Sequence, residues 1–284
     1  MMRNFHYINI LFCLMMAYVV SSCSQDVSTS NHSQLVVEGW IDAGEHPVVK
    51  LTRTVALNTD EFQLDSLSRY VERWAKVSIS DGEKTEVMVG RYDKNYFPPF
   101  VYTTYDMRGE VGKEYKLMVE TPDGILAEAK TTIPAPAKID SFKVEPTDMD
   151  GFYQLYAYTT CKERCKLFTM VEDAVDGEQT EYHSAELGLL DKGMIGSDNR
   201  ISVKRGYYNL KKHTPFFRRF GIVKVKFSTL NDESYDFWRS FEDLIALSRV
   251  PLMPVNTNLK SNVKGALGYW CGYGSTFYEV FIIE

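Results

Sequence analysis

The feature that most narrows what this chain can fold into is a series of short segments that alternate apolar and polar residues. Asp-Gly pairs at 81–82, 123–124, 150–151 and 176–177 punctuate the series. A period of two puts successive side chains on opposite faces of a strand, so that one face can be buried while the other meets solvent. Asp-Gly supplies the positive φ that tight hairpins require. Leu35 to Ile41 opens the series. Pro47 to Val55 follows, with Val49, Leu51, Arg53 and Val55 on one face and Val48, Lys50, Thr52 and Thr54 on the other. Ala75–Ser80, Val87–Arg91, Phe100–Tyr105, Tyr115–Glu120 and Ile125–Ile133 continue it. About seven strands in roughly 100 residues predict an immunoglobulin-like β-sandwich over residues 35–135. Asp60 to Trp74 interrupts the alternation and reads as a long insertion with a short helix.

Pro134-Ala135-Pro136 marks a boundary, because proline cannot donate to a sheet and stiffens the chain. Residues 136–284 read as a second β-rich domain. Strands are expected at Ile139–Val144, Phe152–Thr160, Lys166–Glu172, Arg200–Lys204 and Gly221–Leu230. One amphipathic helix is expected near 233–247, where Tyr235, Trp238, Phe241, Leu244 and Ile245 fall at helical spacing. Asn231 or Asp232 can cap it, and its apolar stripe is expected to cover the second sheet. Strand character returns from Gly265 to Glu284. The fold class is therefore mostly β.

Residues 1–22 have the order of a secretory signal: Arg3, an apolar run from Ile8 to Val20, then Ser21 and Ser22. The run is short for a membrane span, which needs about 20 residues. Val20-Ser21-Ser22-Cys23 resembles a lipobox, in which the cysteine thiol takes a diacylglyceryl group before cleavage. The expectation is lipid attachment at Cys23 and anchoring to an outer membrane, since two or three acyl chains hold stably where one is marginal. Residues 23–34 are polar and read as a flexible tether. Whether the anchored chain faces the periplasm or the cell surface stays open; Asp26 is either an export signal or a solvated residue.

Cleavage before Cys23 leaves 262 of the 284 residues, and losing the +1 of Arg3 takes the formal charge from −6 to −7. That balance argues against nucleic-acid binding. Cys161, Cys165 and Cys271 then remain besides Cys23. Cys161 and Cys165 flank Lys-Glu-Arg between two strand-like runs, where a hairpin can bring them together as a disulfide in an oxidising compartment; free thiols are the alternative.

Several segments occur in order after the lipobox: LVVEGWI, VVKLTRT, VSISDGE, GKEYKLMVETPDG, TTIPAP, SYDFW and NVKGALGYWCGYG. Together they resemble the Bacteroidota outer-membrane lipoproteins of domain-of-unknown-function family 4249. The resemblance implies a lipid-anchored protein, often encoded beside a TonB-dependent receptor, and carries over only Cys23, as the acylated residue. Cys161-Lys-Glu-Arg-Cys165 departs from the family pattern, which has an Asp/Pro-rich turn there.

The residues offer little chemistry. HExxH, GxSxG and Walker patterns are absent, and no cofactor or metal site is expected. His32, His46, His183 and His213 lack a partner at ligand spacing. Tyr269, Trp270 and Tyr273 lie among glycines in a strand-like segment, as a ligand platform or as core. Arg200 to Lys226 is rich in Lys and Arg and free of acids. Lys204, Arg205, Lys211, Lys212, Arg218 and Arg219 there either face an anionic ligand or partner, or pair with the acid-rich run from Glu172 to Glu186. Two functions fit: a non-catalytic binding accessory of a TonB-dependent transporter, its ligand unspecified, or a structural or adhesive surface protein.

Overall fold

The computed structural model describes residues 33–54, 69–173, 177–178, 181–206, 214–248 and 259–283. The signal segment, Cys23, most of the tether, most of the Asp60–Trp74 insertion, and Lys211 and Lys212 lie outside the described residues. Among the described residues the chain is mostly β, with one α-helix.

A nine-stranded sheet organises the fold. Its path runs β12 (Gly177–Glu178), β11 (Cys165–Asp173), β16 (Ile222–Leu230), β17 (Leu267–Phe281), β1 (Leu35–Asp42), β2 (Val48–Arg53), β6 (Phe100–Thr103) and β5 (Val89–Tyr92). β13 (His183–Leu190) also pairs with β11. The 15-residue β17 runs parallel to β1 and antiparallel to β16, so the C-terminal strand ties the first half of the chain to the second.

Two four-stranded sheets pack on one face of this large sheet, as β-sandwich-like layers. The first has the order β4 (Thr85–Val87), β3 (Lys76–Ser80), β7 (Glu114–Glu120) and β8 (Leu126–Thr132). The second has β10 (Phe152–Tyr158) between β14 (Arg200–Val203) and β15 (Phe217–Arg218), with β9 (Ser141–Pro146) also on β10. Alternation explains the packing. Leu35, Val37 and Ile41 of β1 and Leu51 of β2 meet Val77, Leu117 and Ala129 in one core. Val223, Val225 and Phe227 of β16 meet Leu155, Ile201 and Phe217 in another. Even-numbered residues of β17 serve both: Trp270 enters the first core, and Tyr278 and Val280 pack against the second. The fully buried Trp270 donates its indole N–H to Tyr115 O (3.0 Å). It lies over Gly39, where an added Cβ would stand 2.8 Å from the ring.

Pro134-Ala135-Pro136 joins β8 to β9 along the seam between the small sheets. Thr229 Oγ1 donates to Ala135 O (2.7 Å) and Thr276 Oγ1 to Ala137 O (2.9 Å). A Cβ on Gly274 would stand 2.3 Å from Pro134 O, so the linker can lie this close only over glycine. The two halves thus keep separate cores while sharing one sheet.

The helix, α1 (Asp232–Ser248), begins at Asn231, whose Oδ1 accepts from Ser234 N (2.9 Å). Its apolar stripe covers the second-half strands β16, β17 and β13, on the face of the large sheet opposite the small sheets. There Tyr235, Phe237 and Trp238 meet Phe168, Leu230 and Tyr273. The fully buried Lys166 donates to Glu242 Oε1 of the helix (2.5 Å), and Leu189 N donates to the same oxygen (3.0 Å). Strands outside the expected set are β13, which lies partly within the acid-rich run, and the two- and three-residue β12, β15 and β4.

Candidate functional site

The large sheet has two faces, and only one carries the small sheets. On the other, α1 covers part of the surface and leaves a cavity of about 810 Å³. Its floor is made of the strand positions that alternate with the core: Glu38, Trp40 and Asp42 of β1, Lys50 of β2, Tyr269, Tyr273 and Phe277 of β17, Lys226 of β16 and Phe168 of β11. Phe237, Trp238 and Phe241 of α1 form one wall; Tyr96, His46, Glu181, Tyr182 and His183 complete the rim. This size and this mixture of rings with a few polar groups suit a small-molecule site.

Two ammonium groups anchor the floor. Lys50 Nζ is 3.1 Å from Glu38 Oε2 and 3.2 Å from Glu181 Oε2, donates to Phe97 O (3.2 Å), and lies 5.9 Å from the Trp40 ring centre. Burial alone would lower its pKa, but the two carboxylates outweigh burial and hold it above its usual value. Burial raises Glu181 despite Lys50. Lys226 Nζ is 2.7 Å from Asp42 Oδ2 and sits among rings, 4.5 Å from the Tyr273 centre and 5.2 Å from that of Phe168. Asp42 Oδ1 also accepts from Ser275 Oγ (2.5 Å). Aromatic pairs flank both groups: Trp40 with Tyr96 at 6.1 Å between centres, and Tyr182 with Phe277 at 6.0 Å. Burial, with nearby Asp42, Glu279 and Glu172, pushes the Tyr182 phenol up to about 12.

Other rim groups are poised for hydrogen bonding. His46 Nδ1 donates to Met107 O (2.9 Å). Ser184 Oγ is buried without a hydrogen-bond partner among the described residues. Burial, then Lys50 and Arg205, lower His183 to about 4, so its imidazole is neutral near pH 7. Among the described residues no group of three or more His, Cys, Asp or Glu is arranged to hold a metal ion.

A family model described as "Domain of unknown function (DUF4249)" matches residues 20–278. The chain belongs to the DUF4249 family. No curated protein matches it. A solved structure, "Marsupial T cell receptor", is similar at 11% identity over 70% of this chain and 91% of that one, with a TM-score of 0.19.

In this DUF4249 protein the residues singled out from sequence fall in different places. Tyr269 and Tyr273 line the cavity, whereas Trp270 between them points into the first core on the other face. Of the basic set, Lys204 is 4.0 Å from Glu186, Arg205 is buried, and Arg218 and Arg219 lie over Phe152 and Phe220. The acid-rich and basic runs do meet, at Lys204–Glu186 and Lys224–Glu172. Cys161 Sγ and Cys165 Sγ are 3.1 Å apart as free thiols; the hydrogen bond between them pulls Cys161 down to about 7 and pushes Cys165 up. None of these basic residues or cysteines lines the cavity.

Apart from Tyr269 and Tyr273, the residues that build the cavity floor were not picked out from sequence. Their signal was present locally: Glu38, Trp40 and Asp42 alternate with buried Leu35, Val37 and Ile41, and Lys50 falls between Val49 and Leu51. Charged side chains are the ordinary pattern of a solvated strand face, and it is the burial of Asp42 and Lys50 in the fold that sets these apart. Convergence of that face with β16 and β11 depends on the pairing of β17 with β1, which joins residues over 230 apart.

Proposed function

We propose that this DUF4249 chain is a lipid-anchored, non-catalytic binding protein of the outer membrane that captures a small ligand in the cavity and serves a TonB-dependent transporter. The cavity carries this reading: about 810 Å³ of aromatic-lined space with two buried ammonium–carboxylate groups, built from both halves of the chain. Val20-Ser21-Ser22-Cys23 supports the anchor, and the family resemblance supports the barrel partner.

The test is an affinity pull-down of the tagged, lipidated protein from its native outer membrane in mild detergent, with mass spectrometry of what co-purifies. A stoichiometric TonB-dependent barrel is the expected result, and Cys23→Ala should move the protein out of the membrane fraction. Recovery of the protein alone or as its own oligomers would replace this reading with a structural surface role.

A further inference from the structure

The cavity floor repeats one chemical arrangement twice. At the first station the Trp40–Tyr96 pair stands beside Lys50 and its carboxylates; at the second, Tyr182–Phe277 stands beside Lys226 and Asp42. Each station offers a ring face next to a hydrogen-bonding ammonium–carboxylate group. Rings remain available: Phe277 is 46% exposed, and Trp40, Tyr96 and Tyr182 are partly exposed.

The charges restrict the occupant. An anionic ligand would find each ammonium engaged and a carboxylate beside it: Glu38 and Glu181 at one station, Asp42 at the other. A cationic ligand would meet Lys50 or Lys226 at the same short range. A wholly apolar ligand would strip water from the Glu38 carboxylate, whose side chain is 40% exposed, without replacing those hydrogen bonds, which is costly. What remains is an uncharged molecule with apolar faces and hydroxyl-bearing edges, repeated along its length.

We propose that the cavity binds a short neutral oligosaccharide, with successive sugar rings lying against Trp40–Tyr96 and Tyr182–Phe277 and their hydroxyls meeting the Lys50 and Lys226 groups. This deepens, and rests on, the binding reading above. The C–H faces of a sugar ring match the aromatic planes, its hydroxyls match paired acceptors and donors, and the volume suits on the order of a few rings.

The test is calorimetric titration of the mature lipidated protein in nanodiscs, which avoids sugar-headed detergents. The panel comprises neutral gluco-, manno- and galacto-oligosaccharides, the corresponding uronic-acid oligosaccharides, polyamines and short peptides. A neutral oligosaccharide should bind most tightly, with its monosaccharide weaker. Trp40→Ala and Phe277→Ala should each weaken binding about three- to tenfold while the melting transition is retained, and Trp40→Phe should restore most of it. Tightest binding by a uronic oligosaccharide, an amine or a peptide, or by no saccharide at all, overturns the ligand class. The pull-down stands apart from this: a barrel partner recovered alongside a negative saccharide panel refutes only the ligand, whereas saccharide binding without a barrel refutes only the transport role.

Discussion

Asp42 shows how closely one side chain can bind structure to site. It lies on the cavity floor, holds Lys226 at 2.7 Å and accepts from Ser275 at 2.5 Å, with only 7% of its side chain exposed. Removing one member of a buried ion pair strands the other, whereas replacing both by apolar groups of similar volume can be neutral. Asp42→Ala should therefore cost about 3 kcal/mol by urea unfolding, and the Asp42→Leu/Lys226→Met double variant should recover most of it. A double variant as unstable as the single one would mean that Asp42 supports something other than Lys226. His183 adds a pH dependence. Its folded pKa of about 4 lies below the ordinary 6.5. Above pH 6.5 the ring is neutral in both folded and unfolded chains, and its contribution is complete. Between 6.5 and about 4 the unfolded chain takes up the proton first, so stability falls with pH, by up to about 3 kcal/mol from this residue. His183→Gln should flatten the stability profile across that window; an unchanged slope would remove His183 as its source.

At the scale of elements, α1 is held to the sheet by Glu242 as well as by its aromatic stripe. Lys166 is fully buried on β11, and burial lowers its pKa despite the Glu242 carboxylate 2.5 Å away. Glu242→Ala removes that carboxylate and the acceptor for Leu189 N together. The expected loss is about 3 kcal/mol, with faster hydrogen exchange in α1 and β13 than in β7 and β8; uniform change across the molecule would contradict local docking. Much of this element-level structure was legible in the sequence. The alternation around Val49 and Leu51, the Asp-Gly turn between β7 and β8 and the stripe around Trp238 each depend on neighbours a few residues apart. The strand β13 was not, because Glu186 and Gly188 mask the alternation, and the short β12 and β15 have too few residues to show a period.

On the scale of the whole molecule, the deciding contact is the parallel pairing of β17 with β1. It makes one sheet of what the proline seam suggested were two separate domains, and it places Glu38 beside Tyr269 and Asp42 beside Tyr273. Local pattern could assign Tyr269, Trp270 and Tyr273 to a strand; only the register shows which of them face the cavity and which the core. If this free face is where the protein binds its ligand, its tryptophans report on that binding directly. Trp40 and Trp238 line the cavity, Trp270 is buried on the opposite face, and Trp74 is 83% exposed outside the cavity. The measurement is ¹⁹F NMR of the fluorotryptophan-labelled, lipidated protein, with resonances assigned by single Trp→Phe variants and titrated with a glycan and metabolite library. At least one compound should saturably shift Trp40 and Trp238 while Trp74 and Trp270 stay in place. A Trp40 resonance that never moves, or compounds that act only on Trp74, would contradict it.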